Sequence, residues 1–225
     1  MIFFDLDGTL LDHRYSEYLA VKEFYNNNKY RFDFNEENFY KLWCDISNKH
    51  FNRFLNNKLT FSQQRIERIK ELFEHVGIKF SDTEAENKFK EYLNAYEKNW
   101  KIYDDVINCL KELHSNYKLG IITNGDLEQQ SLKLERIGVK KYFDLLIAAG
   151  DIGISKPNTK IFEIACNKAG FNPKECYYIG DNLNVDILPC EKINMNGIWL
   201  NRTNKRGKKT EVKTIYNLEN IKEIL

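Results

Sequence analysis

The stretch that most constrains the fold of this chain lies at its start, where a short apolar run ends at two carboxylates. Ile2, Phe3 and Phe4 have the character of a fully buried strand, and Asp5 and Asp7 follow it directly. An unpaired buried charge is costly, so packing alone does not explain this pair. Because side chains alternate along an extended strand, Asp5 and Asp7 are predicted to point the same way, which would allow them to share one metal ion or one reacting group.

A strand-end turn with locally hydrogen-bonded aspartates is the simpler explanation of an isolated Asp-x-Asp pair. The whole run Asp-Leu-Asp-Gly-Thr-Leu at positions 5–10 follows an apolar strand, and this combination favours a functional site. In an open α/β sheet, ligands bind at the carboxyl ends of the strands. The first strand is therefore predicted to lead into such a site.

The overall composition excludes several classes of partner. Lys and Arg number 34 and Asp and Glu number 33 in 225 residues, which gives no electrostatic reason to bind a nucleic acid polymer or an anionic membrane. No apolar run approaches the roughly 20 residues that span a bilayer. The five cysteines form no C-x-x-C pair, and no signal peptide precedes the first strand, so we expect reduced thiols in a cytoplasmic protein.

The chain is predicted to contain two domains. Residues 15–100 follow helical spacing throughout, with capping boxes that begin at Thr60 and Ser81. From residue 101 onward, strands and helices alternate, which indicates a parallel sheet with right-handed crossovers. We therefore expect an α/β core of residues 1–14 and 101–225, with the helical block inserted as a cap.

Within the second segment, the pattern predicts four further strands, at residues 119–123, 145–148, 176–179 and 198–200. A helix is expected from Pro157 to Ala169 and another from Asn217 to the end of the chain. Pro189 is expected in the first turn of a helix or at a kink.

Reactive groups lie at four strand ends or helix starts. These are Asp5 and Asp7, Thr123-Asn124-Gly125, Ser155-Lys156-Pro157, and Gly180-Asp181 with Asp186. A parallel sheet brings its carboxyl ends to one edge, so these groups are predicted to converge. Together they suit phosphoryl transfer, which needs a nucleophile, a proton donor and charge neutralisation. The four aspartates cannot bind a phosphate unaided, and their oxygen ligands suit Mg²⁺.

These four motifs resemble those of the haloacid dehalogenase superfamily of hydrolases, in order and in surroundings. The resemblance covers residues 1–13 and approximately 101–205, and the helical insert resembles the C1-type cap. It implies a Rossmann-like, doubly wound parallel sheet with an inserted all-helical cap that closes over the site and selects the substrate. The run Ile121–Gly125, together with the sequence around Lys156, is similar to the branch of nucleoside 5′-monophosphate phosphatases and N-acylneuraminate-9-phosphatases.

The resemblance also implies the roles of the site residues. Asp5 would be the nucleophile that forms an aspartyl-phosphate, and Asp7 would protonate the leaving oxygen and then activate water. Thr123 and the backbone of Asn124 would hold the phosphoryl group, and Lys156 would stabilise its charge.

The implied Mg²⁺ ligands are the carboxylates of Asp5 and Asp181 and the backbone carbonyl of Asp7. Asp186 would bind the ion through water or orient Lys156. The acid at position 7 argues against carbon–halogen cleavage, because a halide leaves without a proton.

The chain departs from the usual family pattern in two places. Asn182 stands where Ser or Thr is common, and it is expected to hydrogen-bond locally. The sequence Tyr-Asp-Asp-Val at residues 103–106 lacks the Pro-Gly often seen there, which leaves the local turn open.

Two other stretches have simple structural interpretations. Phe39, Tyr40 and Trp43 could stack on a nucleobase, but their helical spacing favours a place in the core. The basic loop from Asn201 to Lys209 is expected to be a solvated surface turn, with Arg202 near a strand end.

We therefore expect a Mg²⁺-dependent phosphatase of small phosphorylated metabolites, with a nucleoside 5′-monophosphate as the first candidate substrate. Sugar phosphates, including sialic acid 9-phosphate, and phosphoglycolate are the alternatives. A phosphomutase and a non-catalytic protein that binds a phosphorylated ligand remain as further hypotheses. The sequence leaves the oligomeric state open between a monomer and a homodimer.

Overall fold

The computed structural model describes residues 1–204 and 212–225. The described residues form two compact units, and the second is inserted into the sequence of the first. The first unit consists of Met1–Asp12 and Lys101–Leu225, and the second consists of His13–Trp100.

The first unit is built on a six-stranded parallel sheet. Its strands are β1 (Ile2–Phe4), β2 (Leu119–Thr123), β3 (Leu145–Ala148), β4 (Tyr177–Gly180), β5 (Asn196–Leu200) and β6 (Lys213–Ile215). Their order across the sheet is β3-β2-β1-β4-β5-β6, and every neighbouring pair is parallel. This arrangement confirms the predicted α/β class. Strand β1 lies in the middle, so Asp5 emerges between the carboxyl ends of β2 and β4.

The inserted unit is all-helical in the structure, with no strand among residues 13–100. Its helices are α1 (His13–Asn28), α2 (Glu36–Leu55), α3 (Phe61–Glu74) and α4 (Asp82–Lys98). The predicted capping boxes are confirmed, because Thr60 and Gln63 exchange hydrogen bonds at the start of α3, and Ser81 and Glu84 do so at the start of α4.

The core of the inserted unit is rich in aromatic residues. Phe39 and Trp43 have no exposed surface and pack with Phe24, Phe73 and Tyr92. Their interpretation as core residues is therefore confirmed. Within residues 1–204 and 212–225, none of the helices has both the length and the apolar character needed to cross a bilayer.

The helices of the first unit flank its sheet. They are α5 (Val106–His114), α6 (Leu127–Arg136), α7 (Ala149–Ile152), α8 (Lys160–Ala169) and α9 (Leu188–Glu191). Pro189 lies in the first turn of α9, as one of the two predictions for it required. A π-helical turn, Leu183–Ile187, precedes α9.

Several elements of this unit differ from the prediction, including the strands predicted at residues 176–179 and 198–200, which span Tyr177–Gly180 and Asn196–Leu200. Helix α8 begins at Lys160 and not at Pro157, because residues 155–158 form a turn in which Asn158 N donates to Ser155 O. The last helix is a short 3₁₀ segment, Leu218–Glu223, which Asn217 caps. Strand β6 was not predicted, because three residues with one buried side chain carry too little pattern.

Candidate active site

The turn after β1 holds Asp5 inside the protein. Asp5 N donates to Ile179 O over 2.8 Å, so the backbone continues the pairing with β4 for one residue beyond β1. The Asp5 carboxylate is buried, and its Oδ2 accepts a hydrogen bond of 3.1 Å from Thr9 Oγ1. The local sequence thus supplies one of the donors that compensate the buried charge.

Lys156 lies at the centre of the buried polar groups of the site. Its Nζ donates to Asp5 Oδ1 over 2.7 Å, to Asp186 Oδ1 over 2.8 Å and to Tyr178 Oη over 2.8 Å. An ammonium group has three protons, so these three acceptors use all of them. The cation and the two carboxylates are nearly inaccessible to water.

Burial and neighbouring charges shift the pKa values of this group. Burial raises the pKa of Asp5 above its ordinary value, Lys156 opposes this shift, and the nearby Asp186 and Asp181 carboxylates add to it. Burial alone would lower the pKa of Lys156, but Asp186 and Asp5 raise it above its ordinary value. Lys156 thus lies between the two carboxyl groups and donates a hydrogen bond to each of them.

The side chains of Asn124 and Tyr178 hold Lys156 in place through hydrogen bonds. Asn124 Oδ1 accepts from Lys156 N over 2.7 Å, and Asn124 Nδ2 donates to Lys156 O over 2.9 Å. Tyr178 Oη accepts from Lys156 Nζ and donates to Ile122 O over 3.1 Å, which joins β4 to β2 across β1. The Asn124 side chain, for which the sequence predicted no role beyond that of its backbone, therefore positions the backbone of Lys156.

Asp181 completes a group of three carboxylates. One oxygen each of Asp5, Asp181 and Asp186 lies within 4.8 Å of the others. Gly8 makes this approach possible: its φ is +95°, and a Cβ atom there would lie 2.7 Å from Asp181 Oδ2. A set of carboxylate oxygens at this spacing has the donor chemistry that hard divalent cations such as Mg²⁺ require, so these residues fit the predicted ion.

The residue after Asp181 hydrogen-bonds locally, as predicted. Asn182 Oδ1 accepts hydrogen bonds from the backbone N–H groups of Asn184 and Val185. Asp186 Oδ2 in turn accepts from Asn182 N over 3.0 Å. The turn therefore directs Asp186 back toward Lys156.

Asp7 points to a different set of partners from Asp5. Its carboxylate accepts from Lys133 Nζ over 2.7 and 2.8 Å and from Gln130 Nε2 over 3.0 Å. It is not a member of the three-carboxylate group described above. Asp5 and Asp7 thus contact different lysines, because helix α6 supplies Asp7 with its own cation. That the two carboxylates share one metal ion or one reacting group stays a prediction.

Thr123 lies at the end of β2 and is buried. Its Oγ1 accepts from Gly125 N over 3.3 Å and from Gln130 Nε2 over 3.0 Å. Both contacts use lone pairs, so among the described residues the hydroxyl proton of Thr123 remains available to a phosphate oxygen.

Arg202, which lies two residues beyond the end of β5, supports the turn after β1. It donates to both oxygens of Asp105 over 2.8 and 2.9 Å and to Thr9 O over 2.9 Å, and its guanidinium lies 4.0 Å from the centre of the Tyr103 ring. Asp105 also accepts from Leu218 N. The prediction of a solvated loop is wrong for Arg202, which is largely buried, while residues 205–209 of that loop lie outside the described residues.

The sequence did not single out several residues that build the site, namely Thr9, Asp105, Gln130, Lys133 and Tyr178. A pattern was present for two of them. Gln130 and Lys133 occupy the buried face of α6 beside Leu134, and polar residues on an apolar face require partners. Asp105 and Tyr178 had no comparable pattern, because their partners are distant in the sequence.

Comparison with known proteins places this site in a family. The sequence model of the haloacid dehalogenase-like hydrolase family matches residues 1–194, and the chain belongs to this family. The family and the hydrolase class predicted from the motifs are thereby confirmed.

Relatives and solved structures agree with this assignment. The chain is 29% identical over 209 residues to pyrimidine 5′-nucleotidase YjjG of Escherichia coli, covering 89% of this chain and 85% of the relative. It is 26% identical to human N-acylneuraminate-9-phosphatase, with 89% and 82% covered. The magnesium-bound structure of the putative HAD-hydrolase YfnB of Bacillus subtilis shares the fold, with a TM-score of 0.82, 21% identity, and 99% and 96% of the chains covered.

Proposed function

We propose that this protein is a Mg²⁺-dependent phosphatase that hydrolyses a small phosphorylated metabolite through an aspartyl-phosphate on Asp5. The observation that carries the proposal is the joint geometry of Asp5, Lys156 and Asp181. A buried carboxylate lies 2.7 Å from a buried ammonium group and beside two further carboxylates. This combination places a nucleophile next to one cation and next to ligands for another.

The proposed reaction has two displacements at phosphorus. In the first, an Asp5 oxygen forms a bond to phosphorus, the ester oxygen leaves, and Asp7 gives that oxygen a proton. In the second, water attacks the phosphorus, Asp7 takes a proton from the water, and the Asp5 carboxylate and inorganic phosphate are released. The positive charge of Lys156 and a hydrogen bond from the Thr123 hydroxyl stabilise the phosphoryl oxygens during both displacements.

We assign the metal ion to the carboxylates of Asp5 and Asp181, with Asp186 bound through water or acting on Lys156. The Asp7 carbonyl remains a proposed further ligand. When bound, Mg²⁺ neutralises charge on the phosphoryl oxygens and orients them. Gly8 supports this assignment, because its lack of a side chain leaves room for the Asp181 carboxylate beside the turn.

Within this reaction class, we propose a nucleoside 5′-monophosphate as the substrate. The relative named as a pyrimidine 5′-nucleotidase, with most of both chains aligned, supports this choice. A sugar phosphate such as sialic acid 9-phosphate is the second candidate, which the N-acylneuraminate-9-phosphatase relative favours. We propose that the helical unit His13–Trp100 is the cap that selects between them.

We propose that the enzyme acts in the reducing environment of the cytoplasm. All five cysteines are free thiols, and four of them are buried. Disulfides would be expected to persist in an oxidising compartment.

The proposal is tested by phosphate release from p-nitrophenyl phosphate and from a panel of nucleotides, sialic acid 9-phosphate and phosphoglycolate, with Mg²⁺ present. The Asp5→Asn variant is expected to lower turnover by about a thousandfold or more. The same substitution at the exposed Asp104 is the matched control and is expected to leave turnover unchanged.

The alternatives give different results in the same assay. A phosphomutase would transfer the phosphoryl group and release little inorganic phosphate. A non-catalytic protein would bind phosphorylated ligands without turnover. Unchanged activity in Asp5→Asn would remove Asp5 from its role.

A further inference from the structure

Helix α6 supplies hydrogen bonds to both oxygens of Asp7, the second carboxylate of the motif. Lys133 Nζ lies 2.7 Å from Asp7 Oδ1 and 2.8 Å from Oδ2, and Gln130 Nε2 donates to the same Oδ2. The Lys133 side chain is only 3% exposed, whereas Asp7 is 26% exposed. The lysine is therefore enclosed while the carboxylate keeps one open side.

The sequence of α6 explains how these two residues reach Asp7. Gln130 and Lys133 are three residues apart and so lie on one face of the helix. Gln130 also donates to Thr123, so the helix connects Asp7 with the end of β2. Gly125 leaves the room for this contact, because a Cβ atom there would lie 1.9 Å from Gln130 Nε2.

A purely structural pair is the simpler explanation of the contact between Lys133 and Asp7. Such a pair is a poor source of stability, because removing both charges from water offsets most of their attraction. The donors on Asp7 do have a specific consequence, since bonds to both oxygens fix the rotation of the carboxylate. A preset orientation removes an entropic cost that the acid would otherwise meet in the transition state.

We propose that Lys133 is a positioning residue that orients the Asp7 carboxylate for proton transfer to the leaving oxygen, with Gln130 as its second support. This inference rests on the proposed function, in which Asp7 is the acid. In this role Lys133 acts through its contacts with Asp7. Its contribution is therefore largest for esters whose leaving oxygen needs a proton.

The test compares two substrates that differ in this need. One is an alkyl phosphate that the enzyme hydrolyses, such as a nucleoside 5′-monophosphate or ribose 5-phosphate. Its leaving group departs as an alcohol and needs the proton. The other is p-nitrophenyl phosphate, whose leaving group departs as the stable p-nitrophenolate anion and does not need a proton. The value of kcat/KM reports steps up to the release of the leaving group, so the ratio of the two kcat/KM values isolates the acid step.

In Lys133→Met, we expect the ratio of alkyl to aryl kcat/KM to fall about ten- to a hundredfold, which is part of the effect of a general acid. Asp7→Asn should lower the ratio at least as far. Combining the two substitutions should lower it no further than Asp7→Asn alone, because Lys133 acts only through Asp7. Lys140→Met, the same change at an exposed position, is the matched control and should leave the ratio unaltered.

Gln130→Met provides a second test if Lys133→Met does not fold, as judged by circular dichroism and thermal unfolding. It is expected to lower the same ratio by a smaller factor. An equal loss for both substrates, or no loss for either, in a folded variant would overturn the proposal. Failure of the proposed function is seen separately, because Asp5→Asn would then retain the hydrolysis of both esters.

Discussion

Lys156 Nζ lies 2.7 Å from Asp5 Oδ1, although 151 residues separate them in the sequence. Asp5 follows β1, and Lys156 lies between α7 and α8, beyond the end of β3. The two residues meet because a parallel sheet brings the carboxyl ends of β1 and β3 to one edge. The same ammonium group also contacts Asp186, which lies beyond β4. One cation thus links three segments of the chain.

Removal of this cation is expected to affect both stability and turnover. Lys156→Met leaves two buried carboxylates without their ion pair, and the free energy of unfolding should fall by about 3 kcal/mol in the absence of divalent ions. Urea unfolding measures this loss, and phosphate release should fall in parallel. Lys160→Met, at an exposed position four residues further on, is the control, and a loss of equal size there would contradict the assignment.

Tyr178 is expected to act on the site through Lys156. Tyr178→Phe removes the hydroxyl that joins Lys156 to Ile122 O and leaves the buried ring in place. We expect turnover to fall by about tenfold, as is usual when a group that orients a ligand or cation is removed. Stability should fall by only about 1 kcal/mol. Phe substitution of Tyr177, the half-buried neighbour, should leave turnover unchanged, and equal turnover in the two variants would contradict the prediction.

Arg202 is expected to stabilise the first unit. Arg202→Met leaves the largely buried Asp105 without its cation and Thr9 O without a donor, so the free energy of unfolding should fall by about 3 kcal/mol. A double-mutant cycle with Asp105→Asn measures the coupling between the two residues. Purely additive effects would mean that the ion pair contributes nothing. Arg31→Met, at an exposed position, is the control.

Mg²⁺ is expected to stabilise the folded protein, because an ion that binds only the native state raises its melting temperature. Treatment with EDTA should abolish turnover and lower the melting temperature, and added Mg²⁺ should restore both. Gly8→Ala should weaken this response, because its Cβ would lie 2.7 Å from Asp181 Oδ2.

The Gly138→Ala variant is the control that distinguishes the effect of this clash from the effect of backbone strain. Gly138 also has a positive φ, of +75°, but no atom lies within 4 Å of the Cβ position. Both variants should lose stability through strain, and only Gly8→Ala should lose the response to Mg²⁺. A full response in Gly8→Ala would contradict the placement of the ion beside Asp181.

Much of the fold was predictable because its elements carry strong local patterns. The buried strands are continuous apolar runs, and the capping boxes at Thr60 and Ser81 identified two helix starts. The errors lie where the pattern is short. Strand β6 has three residues, and the segment after Asn217 has too few residues to distinguish a 3₁₀ turn from an α-helix.

The candidate site was predictable in part. The four motifs supplied Asp5, Lys156 and the acidic residues, and the parallel sheet explained why they converge. The individual partners were not predictable, because the sequence does not reveal which of the two aspartates pairs with which lysine. The structure pairs Asp5 with Lys156 and Asp7 with Lys133.

The sequence by itself determined the class of this protein, because apolar strands, helix caps and reactive residues at strand ends are local patterns of adjacent residues. The tertiary structure alone decided how charges pair across 97 to 151 residues, as with Arg202 and Asp105 or Lys156 and Asp5. The physical reason is that the burial of a charge requires a partner within hydrogen-bond distance. Only the packing of the sheet and its helices determines which partner that is.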